Sequence, residues 1–482
     1  MLFNSLAFLI FFPIVVLCYW LLPAKGRWRN IMLLIASYYF YMNWQPVYAL
    51  LILLSTVTTW GGALLMKNER VKHHKVVFTG TLLLNFGILF SFKYLNFFGD
   101  IIRSLMDAAG IGFAVPEFDI LLPVGISFYT FQAVGYLIDV QRGTIAPERN
   151  LFTYALFVSF FPQLVAGPIE RAKNLLPQFA GKHFFNGGML IRGIELMVFG
   201  YFMKLCIADN VAPYVDAVFN HLPQHNGNSI ALASFFFTFQ ILCDFGGYSL
   251  IAIGAARAMG FSLMQNFRQP YLATSIRDFW HRWHISLTTW FTDYIYIPMG
   301  GSRVSHGRHY GNIMTTFLVS GLWHGANYTF VLWGAYHGVL SCIQAAWRKH
   351  GPKLPAIITG SAVVKWLSIA MTFILATIGW IFFRANTVSD AFLAIRKIMT
   401  ERGMLFNGDG LPSIVLPMML IGLLFAFEIL HERRDRKASA DALPCSSYNN
   451  SYGMSIAVTV VLLIIILLCG QFDGGQFIYF QF

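Results

Sequence analysis

Apolar runs dominate the chain and are separated by short polar breaks. The opening LFNSLAFLIFFPIVVLCYWLL has the length of a membrane span and lacks a basic flank before it and an A-x-A cleavage site after it. It therefore reads as a retained helix, not a signal peptide. No charged residue lies between Arg29 and Lys67, and one helix through that run would be about 55 Å long against a hydrocarbon thickness of ~30 Å. The run must turn back. Asn43-Trp44-Gln45-Pro46 is the predicted hairpin, because Pro ends a helix interior and Trp favours the membrane interface; its first limb is short for a full span.

Further apolar runs cover about 76–97, 118–141, 151–167, 187–213, 229–260, 310–349, 361–385, 412–430 and 453–471, some long enough for two crossings. The pattern predicts an all-α, polytopic integral membrane protein with roughly ten to thirteen transmembrane or re-entrant helices. One membrane domain over 1–482 is predicted, with no separate soluble domain. Segments 168–182 and 261–309 mix Arg, His, Asp and Trp with apolar residues and read as interfacial or re-entrant helices. The stretch 431–452, which holds Glu432-Arg433-Arg434-Asp435-Arg436-Lys437, reads as a solvated loop. No repeat of solenoid period and no pair of matched broken helices is visible.

Composition agrees with the pattern: of 482 residues 57% are hydrophobic and 12% charged, too few charges to solvate a globular surface. A water-soluble enzyme and a disordered chain are both excluded. The net charge of +12 falls in short clusters between apolar runs, where it suits anionic headgroups and not nucleic acid. Lys25, Arg27 and Arg29 share a side with Lys67 through Lys75, and the positive-inside rule makes that side cytoplasmic and the N-terminus external. The six cysteines, Cys445 among them, form no metal or disulfide spacing and read as small hydrophobes.

An ionisable group inside a bilayer costs at least ~2.5 kcal/mol, so each one needs a reason. Asp244, in FQILCDFGGYSLIAIG, stands alone in an apolar run; a neighbouring helix could satisfy it through Lys204 or Tyr248, or it could line a polar cavity. The densest polar and aromatic patch is RDFWHRWHISLTTWFTDYIYIPMGGSR, residues 277 to 303. On one continuous helix Trp280, His284, Leu287 and Phe291 would share a stripe, with His281 on a neighbouring face. Arg277, Asp278 and Arg282 could pair locally. In GNIMTTFLVSGLWHGANYTFVLWGAYHG, a helix from Gly311 would place His324 about 20 Å along its axis. Gly321 with Gly325 and Gly334 with Gly338 indicate close helix packing. A deep histidine is more often a satisfied core residue than a catalyst; the catalytic reading is a neutral imidazole, its pKa lowered by burial, facing a polar tunnel and able to take a proton from a hydroxyl. A metal at His281-x-x-His284 would need a third ligand from His324 or His337, and no metal is predicted. No G-x-S-x-G and no phosphate loop is present.

The chain resembles the membrane-bound O-acyltransferases, specifically their bacterial branch of alginate O-acetylation membrane components. The likeness runs through LLPVGISFYTFQAVGYLIDV, FFPQLVAGPIERAKNLLPQF, CDFGGYSLIAIG, DFWHRWHISLTTWFTDYIYIPMGG and SGLWHGANYTFVLWGAYHG, in the family's order. The resemblance implies tilted helices around a central tunnel and a cytoplasmic funnel for an acyl donor. It also implies that His324 occupies the family's catalytic position, with His284 the second motif histidine. By the same likeness Trp323, Asn327, Tyr328 and Gln163 are tunnel or substrate-binding candidates, and Trp280 and Asp244 join them from the reading of the residues themselves.

The implied reaction is transfer of an acyl group, acetyl above others, from a thioester donor, acetyl-CoA or an acyl carrier, to a hydroxyl for O-acetylation of an extracellular, alginate-like polysaccharide. No tightly bound cofactor is implied. The implied partners are the cytoplasmic donor, an extracytoplasmic acetyltransferase, the polysaccharide acceptor and membrane lipid, with the chain in the cytoplasmic (inner) membrane and no nucleic acid. D-alanyl or lipid acyl transfer within the same family is the near alternative. A transporter or channel for a polysaccharide precursor is the alternative from another class, and the concentration of polar groups around 240–340 argues against it.

Overall fold

The computed structural model describes residues 1–24, 27–111, 122–165, 167–351, 361–408, 410–441, 456–472 and 477–478, which are helical with no strand among them. Lys25, Cys445, residues 118–121 and the Ser- and Asn-containing part of 442–452 lie outside the described residues. The chain groups into two compact units, Met1–Gly193 with Ala255–Met264 and Ile194–Gly254 with Gln265–Phe482.

In the first unit α1 (Leu6–Leu21), α2 (Trp28–Met42), α3 (Ala49–Met66) and α4 (His74–Lys93) follow the apolar runs. The hairpin is where Pro46 puts it: α2 stops at Met42 and a single 3₁₀ turn, Pro46–Tyr48, leads into α3. An amphipathic helix that the runs did not predict, α5 (Leu95–Ala108), follows α4. Then come α6 (Ile126–Gln141), α7 (Leu151–Ser159), the single turn α8 (Phe161–Leu164) and α9 (Ala172–Ala180). Pro162, in the first turn of α8, interrupts the run 151–167 because its ring cannot continue α7. Buried hydroxyls find partners between helices: Ser55 donates to Asn85 Oδ1 at 2.7 Å, and Thr59 and Tyr154 share a 2.8 Å hydrogen bond.

Within its basic cluster, Arg29 is committed to carbonyls of the protein itself. It is buried, donates to Leu22 O and His183 O, and lies 4.8 Å over the Tyr19 ring. Those carbonyls need donors in an apolar setting, and a guanidinium supplies several at once.

The second unit takes in the end of α10 (Gly187–Tyr201), a π-helical stretch Phe202–Ala208, α11 (Asp209–Phe219) and, up to Gly254, the single 32-residue helix α12 (Gly227–Ala258). There follow α13 (Ile276–Arg282), α14 (Ile285–Phe291), the π-helical Thr292–Tyr296, α15 (His306–His324) and α16 (Tyr328–His350). The unit ends with α17 (Ala362–Arg384), α18 (Val388–Thr400), α19 (Pro412–Asp441) and α20 (Ile456–Cys469). Among the described residues five helices are long and apolar enough to cross a membrane, within Pro46–Met66, His74–Lys93, Gly227–Ala258, Ala362–Arg384 and Pro412–Arg434, and Leu6–Leu21 and Ile456–Cys469 are shorter apolar helices. Side chains such as Leu83, Leu467 and Leu468 point outward from these helices, a surface that needs an apolar solvent.

The charged stretch after His431 corrects its reading as a loop. α19 continues through it to Asp441, and Glu432 receives a two-pronged hydrogen bond from Arg282, at 2.8 and 3.2 Å. Arg282 also donates to Asp278 at 2.8 Å, the local pairing the sequence pointed to.

The helical pair α15 and α16 packs at its glycines. A Cβ on Gly321 would run into Phe330 O, and one on Gly334 into Phe317 O, with Gly321 Cα 3.4 Å from the latter position. Gly334→Ala should therefore destabilise the protein by about 1–3 kcal/mol through overpacking. Gly87→Ala, in α4 with nothing within 4 Å, should stabilise it by roughly 0.5–1 kcal/mol. Melting temperatures of the two purified variants check both signs.

Candidate active site

The continuous helix expected over residues 277 to 291 is broken. α13 ends at Arg282, Trp283 is extended, and His284 takes the left-handed region at φ 43°, ψ 54° as the residue that starts α14. A non-glycine residue adopts that conformation only where its surroundings hold it. The holding comes from the segment just before. Arg268 N–H donates to Arg282 O and Ile285 N–H donates to Asn266 O, each at 2.9 Å, so residues 266–268 run alongside 282–285.

The break separates the expected stripe. Trp280, Leu287 and Phe291 line a cavity of about 580 Å³ together with His281, Arg277 and Arg348. His284 turns the other way, into a closed setting formed by Asn266, Phe245, Phe267 and Trp323. His281 and His284 therefore do not converge on one ion, and no group of three His, Cys, Asp or Glu side chains among the described residues could hold a metal.

Asn266 determines the protonation of His284. Its Oδ1 receives the Ser286 backbone N–H at 3.3 Å and the Ser286 hydroxyl at 2.9 Å, while its Nδ2 donates to Ser249 Oγ at 3.1 Å. The backbone donor fixes which way the amide points, since an N–H can meet only the oxygen. The His284 Nδ1, 3.0 Å from that same oxygen, must carry a hydrogen. Burial among aromatic rings, outside the apolar spans, pushes the imidazole well below its ordinary pKa. The ring is then neutral at pH 7, and Nε2 carries the lone pair.

His324 is buried, as expected, and is the last residue of α15. α15 begins at His306, five residues before Gly311, and the chain turns at Gly325 into α16. The His324 ring is met edge-on by Trp323 at 4.9 Å, Trp333 at 4.9 Å and Phe383 at 5.1 Å. Trp323 also stands 5.9 Å from the His284 ring, so the structure gathers the two motif histidines on one indole. Trp280 reaches the same cluster through Trp333, 5.7 Å away, while its other side lines the large cavity.

The remaining candidates have other partners. Asn327 caps α16, accepting from Thr329 N–H at 3.0 Å and donating to Asn386 O. Tyr328 is exposed. Asp244 pairs with Lys204 at 2.5 Å, and Lys204 donates to Asp209 at 2.8 Å, the neighbouring-helix solution foreseen for it. Gln163 belongs to the first unit, buried and donating to Phe157 O at 2.8 Å.

Sequence reasoning passed over Asn266, Gln269 and Glu428. These residues, with Ser249 and His431, line a small cavity of about 20 Å³ beside His284's amide partner, room for about one water. Glu428 carried a signal, since it is a lone carboxylate in an apolar run just as Asp244 is. Asn266 carried none, because its role depends on a contact across 18 residues.

Residues 145–382, which include both histidines, match the membrane-bound O-acyltransferase family. A probable alginate O-acetylase, AlgI, of Pseudomonas putida is 38% identical over 407 residues, covering 81% of this chain and 79% of that protein. The peptidoglycan O-acetyltransferase of Helicobacter pylori is 31% identical over 434 residues, covering 84% and 80%. The teichoic acid D-alanyltransferase of Bacillus subtilis is 28% identical over 256 residues, covering 50% and 64%.

Replacing Asn266 by leucine would strand the His284 and Ser286 donors that meet at its oxygen. The loss should be roughly 1–3 kcal/mol for each stranded buried donor. It is read as a fall in the melting temperature of the solubilised protein, and an unchanged melting temperature would contradict the network.

Proposed function

The chain belongs to the membrane-bound O-acyltransferase family, and from that premise we propose that it transfers an acetyl group from a cytoplasmic thioester to a hydroxyl destined for an extracellular, alginate-like polysaccharide. It is an acyltransferase and a multi-pass membrane protein. The observation that carries the chemical reading is the shared Trp323, which brings His284 and His324 into one buried aromatic cluster.

In the proposed step the neutral ring of His324 accepts the proton of the acceptor hydroxyl as its oxygen attacks the thioester carbonyl. The tetrahedral centre then collapses with loss of the thiolate, which takes the proton back from His324. Such base catalysis contributes ~10² to 10⁴ in rate, and burial among Trp323, Trp333 and Phe383 keeps competing water from the thioester. The Nδ1–H tautomer of His284 leaves an acceptor at Nε2, which supports orienting the attacking hydroxyl and speaks against polarising the carbonyl.

The cavity of about 580 Å³ suits the donor. Arg277, His281, His309 and Arg348 bring positive or protonatable groups to its wall, matching the anionic phosphates of coenzyme A or of a carrier protein's prosthetic arm. Trp280 joins this wall to the histidine cluster. We place the donor face in the cytoplasm, the chain in the inner membrane with its N-terminus outside, and delivery to the polysaccharide in the hands of an extracytoplasmic acetyltransferase. The alginate and peptidoglycan acetylation named for the relatives supports a polysaccharide acceptor over a lipid.

In proteoliposomes His324→Gln should lower acetyl transfer by ~10² or more at unchanged membrane level. Wild-type turnover in a folded variant would sink the assignment. Arg348→Ala should raise the donor KM several-fold with kcat nearly unchanged, the pattern of a lost binding contact. Movement of a polysaccharide precursor without donor cleavage would favour the transporter instead.

A further inference from the structure

We propose that Phe477, seated by the buried Lys204–Asp209–Asp244 ion cluster, is a positioning residue for His284. The inference rests on the acyltransfer reading and extends it to a segment some 190 residues along the chain from His284.

Two anchors hold this part of the chain. The first anchor is at the π-helical stretch Phe202–Ala208, on the carbonyls of Leu205 and Cys206. Asn210 Nδ2 reaches both, at 3.2 and 3.0 Å, and also Cys469 O at 2.9 Å, while Gln471 N–H donates to Leu205 O at 3.0 Å. The second anchor is Asp244. Its Oδ2 accepts the Ile478 N–H at 2.6 Å, and its Oδ1 lies 2.5 Å from Lys204 Nζ. A buried carboxylate needs several partners at once; here one of them is the backbone of residue 478.

Between the anchors and the active site stands one turn of α12. Asp244 and Tyr248, four residues apart, face the tail: Asp244 holds Ile478, and the Tyr248 ring lies 4.7 Å from Phe477. Phe245 and Ser249, four apart on the adjoining face, touch the histidine assembly: Phe245 meets His284 edge-on at 4.6 Å, and Ser249 receives the Asn266 amide. Phe477 closes the link at 5.8 Å from Phe245 and is itself 1% exposed. Removing its ring would give Phe245 room to leave the His284 edge. The imidazole would keep its Asn266 bond and lose the wall that sets its tilt.

The test is kinetic, on the full chain in proteoliposomes, with Phe477→Ala, Phe477→Tyr, Asp244→Asn and a chain stopped after residue 476. Phe477→Ala and the shortened chain should lose kcat by roughly 10- to 100-fold, the scale of a small misplacement of a catalytic group, with donor KM changed less than about twofold. Phe477→Tyr should restore most of the rate, and Asp244→Asn, which keeps an acceptor for Ile478 but drops the charge, should fall between. Wild-type kcat in folded Phe477→Ala overturns the proposal, as does a loss that follows the amount of folded protein with each remaining molecule fully active. If the shortened chain fails to fold, Phe477→Ala decides alone. His324→Gln in the same membranes separates the two readings: if it is inactive while Phe477→Ala is normal, only the tail's role is lost; if it too is fully active, the acyltransfer site itself is wrong.

Discussion

A polar group taken out of water must find its partner inside the protein or cost several kcal/mol. Around His284 that requirement is met at the carboxamide oxygen of Asn266, on which Ser286 N–H, the Ser286 hydroxyl and His284 Nδ1 converge. Much of the site's geometry depends on this convergence. It draws residues 266–268 alongside 282–285 and assigns the tautomer of a buried imidazole. It also ties that imidazole to α12 through Ser249.

The same constraint explains where the backbone is strained. His284 and Gln269 are the non-glycine residues with positive φ among those described, and both border the Asn266 network, His284 by its hydrogen bond and Gln269 in the small cavity. A regular helix through His284 would have kept its imidazole on the stripe of Trp280 and Leu287, facing the large cavity. The left-handed turn reverses the direction. One face of the segment is left for a wide, partly cationic chamber, and the histidine is delivered to a closed aromatic one.

Charge is distributed on the same principle. Arg277 and Arg348 border open volume, where an anionic ligand could meet them. Lys204, Arg282 and Arg29 are closed off and act on carboxylates or carbonyls of the protein itself. The net positive charge is thus two populations, one available to a ligand or to headgroups and one committed to holding elements together. Composition alone merges them.

Hydropathy and helix-breaking residues determined a great deal from the sequence alone. They placed the hairpin at Pro46, the packing glycines of α15 and α16, the helical membrane character, and the two histidines as the residues to explain. These features are local: a missing N–H, a missing Cβ or an apolar stretch acts wherever it occurs. The sequence could not place the break before His284, the end of α15 at His324, the helix running through Glu432, or the parts played by Asn266 and Phe477. Each of these depends on a partner far along the chain, Asn266 for His284, Arg282 for Glu432, Asp244 for residue 478. Only the tertiary structure decides which buried donor meets which acceptor, because desolvation makes pairing obligatory without naming the partner.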